Sequence, residues 1–114
     1  MYHPANRLEV GVLALKAAFI FLAPGADPAI HRTQVATPGV ELTVVGVVDY
    51  AQAERTARGL VEEGIVAVEL CGGFGHEGTA RIVRAVEGKA AVGVVRFDSH
   101  PGLEGKSGDT VFAR

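Results

Sequence analysis

Four dense apolar runs, at 13–23, 40–48, 65–70 and 90–97, alternate along this chain with segments that carry helix signals. Runs without polar residues at every second position suit strands buried on both faces, the habit of parallel sheets. The first is broken only by Lys16 and is ended by Pro24-Gly25. Strand–helix–strand alternation predicts right-handed crossovers, with helices laid on the sheet. The expected fold is therefore α/β: a three-layer sandwich with a mainly parallel four-stranded sheet, flavodoxin-like or Rossmann-like, in strand order 2-1-3-4.

Three helices are expected, at 27–36, 50–63 and 76–87. Asp27-Pro28 is a start signature, a capping side chain followed by proline where its missing N–H costs nothing. The segment's apolar face, Ile30 and Val35, is thin. Asp49 caps the second helix with Gln52 at the capping-box position, and Ala53, Ala57, Leu60 and Val61 recur at helical spacing up to Gly64. The third buries Thr79, Ile82, Val83 and Val86 and ends at Gly88.

At 114 residues the chain is the size of one domain. The opening stretch is polar and contains Pro4, so 1–12 is expected to be a loose leader and 13–114 a single α/β domain. Arg7 followed by Val10 to Leu15 admits the start of a signal peptide, but Lys16 interrupts it. No run reaches the roughly 18 apolar residues of a membrane span. A net charge of −2 with no basic block gives no nucleic-acid footprint. The single cysteine forms no internal disulfide and suits a reducing cytoplasm.

Chemistry concentrates where the third strand ends, at Cys71-Gly72-Gly73-Phe74-Gly75-His76-Glu77. A glycine turn opening a helix exposes backbone N–H groups to an anion, and ligands of open α/β sheets sit at the carboxyl edge. The turn lacks the dinucleotide fingerprint, and no cofactor is named by the sequence. Cys71 is a candidate nucleophile if a base such as His76 lies within reach; otherwise it is a small buried hydrophobe. Glu77 suits the helix dipole. Asp98 and His100 follow the fourth strand to the same edge. With His76 they make a candidate three-ligand metal set, although Asp98 also forms turns routinely. Glu69 and Arg96 are charges inside apolar runs, expected to pair across adjacent strands, with Arg96 also able to hold an anionic ligand.

Val44-Val45-Gly46-Val47, the run from Glu69 to Gly78, and Val92 to Asp98 with His100-Pro101-Gly102 resemble a small bacterial family of uncharacterised proteins. The likeness covers Leu15 to about Phe112. It implies one compact domain and brings no mechanism.

Two functions compete. The first is a domain that binds or transforms a small anionic metabolite, with His76 or His100 as general base and Arg96 and the turn amides holding the charge. The second is a non-catalytic self-assembling module whose loops form subunit contacts. A homo-oligomer is expected in either case, with the tail around Val111-Phe112 crossing to a neighbour.

Overall fold

The computed structural model describes residues 14–97 and 100–114, so the expected leader at 1–12 lies outside the described residues. The chain forms α/β architecture around one five-stranded, mostly parallel sheet. Its strands are β1 (Leu15–Leu22), β2 (Arg32–Ala36), β3 (Val40–Val47), β4 (Ala67–Leu70) and β5 (Ala91–Val94). The order is β2-β3-β1-β4-β5, with β2 antiparallel to β3 and all other pairs parallel. The four expected strands thus follow the expected order, and β2 is a fifth.

β2 replaces the helix expected at 27–36. Asp27 does cap a turn, its Oδ1 accepting from Ala29 N at 2.9 Å, but no helix follows. Ile30 is 71% exposed and Val35 56%, so a helix here would have had almost no apolar face to bury. The β-branched Thr33 and Val35 instead extend along the edge of β3, joined to it by the Pro38-Gly39 turn.

The long helices are α1 (Tyr50–Glu62) and α2 (His76–Val86). Asp49 accepts from Gln52 N at 2.9 Å, while Gln52 Oε1 accepts from Val48 N at 2.7 Å. This is a capping box shifted by one residue on its return leg. Gly64, at φ +97°, lets the chain leave α1. Lys16, the charge inside the first apolar run, donates to Glu63 O at 2.8 Å and so satisfies that helix end.

Ala18 and Ile20 of β1, Val45 and Val47 of β3, and Val68 and Leu70 of β4 share one sheet face. They form the core with Tyr50, Ala53, Ala57, Leu60, Ile82 and Val86 of the helices. Both long helices therefore cover the same face, and no helix among the described residues lies on the other. Without a helix at 27–36, the described chain has two layers rather than three. No described helix is long and apolar enough to cross a membrane.

Candidate functional site

The carboxyl edge is built from the 71–75 turn after β4, the 95–97 segment after β5, and the C-terminal tail folded back between them. The tail contains a 3-10 turn, Pro101–Leu103, and a short helix, α3 (Gly108–Val111). Phe112 packs against the core and its carbonyl accepts from Tyr50 N at 3.2 Å. Phe112 of the tail's apolar anchor thus seats on its own chain, while Val111 stays 44% exposed.

The tail delivers Asp109 to the start of α2. Its carboxylate accepts from Glu77 N and Gly78 N, each at 3.0 Å, and lies 3.0 Å from the Tyr50 hydroxyl. That hydroxyl also accepts from Gly75 N at 3.1 Å and lies 3.2 Å from Gly73 O. A hydroxyl has one proton to donate, and the charged acceptor, Asp109, makes the stronger bond. Tyr50 is fully buried, stacks on Phe74 at 5.4 Å and lies under the Arg81 guanidinium, which is clasped by Glu54 at 2.9 and 3.2 Å. Burial, aided by neighbouring Asp109, pushes the Tyr50 phenol well up, outweighing the Gly75 amide bond. Burial alone would raise Asp109 too. The two backbone N–H bonds and the Tyr50 hydroxyl outweigh it and hold this carboxyl below its ordinary range.

The glycine turn is consequently occupied by its own chain. Gly73 N points at Cys71 Sγ, Phe74 N at Cys71 O and Gly75 N at Tyr50. Of the amides expected to receive an anion, those of Gly73, Phe74 and Gly75 are thus engaged, and Asp109 takes those of Glu77 and Gly78. The glycines serve close packing: side chains at Gly75 and Gly78 would overlap Asp109 and the Tyr50 ring, and one at Gly108 would overlap the Gly73 carbonyl.

Beside this closed joint lies a cleft of about 190 Å³. Its polar side chains are His76, Arg96, His100, Lys106 and Ser107, over a floor of Gly72, Phe74, Gly75, Phe97 and Gly108. Arg96 donates to Phe97 O at 3.0 Å and lies 3.3 Å from His76 Nε2. A guanidinium only donates, so Nε2 is the acceptor in this contact and the ring proton sits on Nδ1. His100 Nδ1 accepts from Gly102 N at 3.0 Å, which places its proton on Nε2, and its ring lies 4.5 Å from that of Phe97. Lys106 has Glu104 at 3.7 Å, but both are largely exposed, so the pair holds the ammonium loosely.

A family model matches residues 15–110, from the first residue of β1 into α3, and thus spans every strand and both long helices. The chain belongs to DUF6506, a family of unknown function. No curated protein and no solved structure matches it.

In this DUF6506 chain, Gly72, Phe74, Gly75, His76, Arg96 and His100, read from the sequence as site residues, come together in the cleft. Cys71, Gly73 and Glu77 do not line it. Cys71 packs against the core, its Sγ 3.4 Å from both Leu22 N and Gly73 N, with no imidazole among its hydrogen-bond partners. Glu77 is exposed in the first turn of α2, as its suitability for the helix dipole implied, and Asp109 supplies the carboxylate that accepts the helix-start amides. Asp98 lies outside the described residues, and among those described no group of three potential ligands could hold a metal ion.

Glu69 and Arg96 do not pair. Register sets Glu69 opposite Gly93, three residues short of Arg96, and both charges are exposed on or past short strands near the sheet edge. Sequence reasoning also missed Tyr50 and Asp109, and it sets Lys106 and Ser107 aside, because Gly105-Lys106-Ser107 has His100 where a phosphate loop needs glycine. For Tyr50 a weak signal existed: one aromatic heading a helix face otherwise built from Ala53, Ala57 and Leu60. For the place of the tail residues there was none, because it depends on a chain reversal that no periodicity encodes.

Proposed function

We propose that the cleft binds a small anionic metabolite. The observation that carries this reading is its lining. Arg96, Lys106, His76 and His100 converge from three separate segments, and no carboxylate stands among the described lining residues. Such a set attracts phosphate or carboxylate, and Arg96 can present a planar pair of donors once a ligand replaces the Phe97 carbonyl. Ser107 adds a hydroxyl. Because the α2 start is filled by Asp109, the ligand would be held by side chains and not by turn amides. A chemical step, were one to follow, would fall to His76 or His100 as general base rather than to Cys71, which faces the core. A single free cysteine suits a cytoplasmic setting for this binding.

Titrating inorganic phosphate and succinate into isotope-labelled protein tests the reading. Amide shifts should be confined to Gly72, His76, Arg96, His100 and Lys106 to Gly108. Arg96→Gln should weaken binding by about tenfold, the loss of one charge-assisted contact of roughly 1.4 kcal/mol, while leaving the melting temperature unchanged. No shift at about 10 mM ligand, weaker than any useful metabolite affinity, would reduce the cleft to a scaffold.

A further inference from the structure

The sheet face turned away from α1 and α2 is apolar. Register places Val35 and Leu42 beside Ala17 and Ala67, and Val44 beside Phe19, with Phe21 at the next inward-outward step. Ala17 is buried, Phe19, Phe21, Leu42 and Val44 are half-buried, with Phe21 and Ala26 of the 24–26 loop both against Gly46, and Val35 is 56% exposed. Glu69 is the one charged residue that the described strands turn to this side; Lys16, Arg32 and Glu41 lie on the helix side by register.

A sheet face that meets water alternates apolar and polar residues, whereas parallel strands are covered on both faces. Here the strand sequences are written for two covers, and the described chain supplies one. We infer that the second cover is another copy of this chain, packed face to face as two sheets about 10 Å apart.

Self-complementarity selects that occupant. A two-fold pairing sets a nearly uncharged face on its equal, so each copy covers the other's exposed apolar side chains. Five strands about 4.8 Å apart give a face of roughly 500 Å² in projection, and side-chain relief raises the accessible area further. That is close to the roughly 600 Å² per protomer at which specific interfaces begin, so the dimer is modest in strength. The cleft stays outside this interface, since its lining belongs to the carboxyl edge and the α2 side. Loss of one property therefore leaves the other measurable.

Sedimentation velocity and light scattering on the full chain over low to high micromolar concentration provide the test. The expected result is a concentration-dependent shift from 11.9 kDa towards twice that mass. Val35→Lys, at an exposed edge position that should tolerate the change, is expected to raise the dissociation constant at least about tenfold with an unchanged melt, because each two-fold contact then buries two charges. Val83→Lys, on an equally open apolar position of α2 at 49% exposure, should leave the mass unchanged. A monomer throughout, a Val35→Lys protein that dimerises like wild type, or a Val83→Lys protein that dissociates instead would each overturn the inference.

Discussion

At the start of α2, a negative charge meets donors supplied by its own chain: Asp109 receives two backbone N–H bonds and the Tyr50 hydroxyl. Beside it in the cleft, Arg96 meets a carbonyl and an imidazole among the described residues, and Lys106 holds a distant, exposed Glu104. Both places have the same raw material, an excess of donors at the carboxyl edge of a sheet. The chain fills one from within and leaves the other open. The helix dipole, the feature most often credited with attracting anions, here serves to anchor the tail, and the proposed ligand would be held by the side chains beside it.

The sharpest way to break this contrast is to disturb the closed joint. Gly78→Ala would push a methyl group into the Tyr50 ring, which is fully buried and cannot yield, and should destabilise by about 3 kcal/mol in urea melts. Asp109→Ala should cost about 2 kcal/mol by orphaning the helix-start amides and the phenol. It should also change the pH dependence. The folded-state carboxyl is held low, so its stabilisation is complete above the ordinary carboxylate range, near pH 4, and is lost as the pH falls through the lowered value. Melts between pH 6 and 3 should show that loss in wild type and lack it in Asp109→Ala. The smallest effect has the opposite sign. Gly59 lies mid-helix in α1 with nothing within 4 Å of an added methyl group, so Gly59→Ala should stabilise by about 0.5–1 kcal/mol. If Gly59→Ala and Gly78→Ala shifted stability alike, the close approach of Tyr50 to α2 would be wrong, and the distinction between joint and cleft with it.

Local sequence determined what depends on neighbours along the chain. The apolar runs became parallel strands, Asp49 and Gln52 began α1, Gly64 ended it, and the 71–75 turn joined β4 to α2. These features rest on backbone propensities, caps and side-chain periods, which act over a few residues. The same runs also stated that β1 expects cover on both faces, although they could not say from where. Tertiary structure decided the rest. Whether Asp27-Pro28 opened a helix depended on an apolar face to bury, and the edge of β3 offered the segment more. Whether Glu69 met Arg96 depended on strand register, where three residues separate a salt bridge from two solvated charges. The return of the tail, which brings Asp109 to α2 and Lys106 to the cleft, depended on Phe112 finding the core. Contacts between residues 30 to 60 positions apart come from closing the fold as a whole, and a single sequence carries their consequences without carrying their addresses.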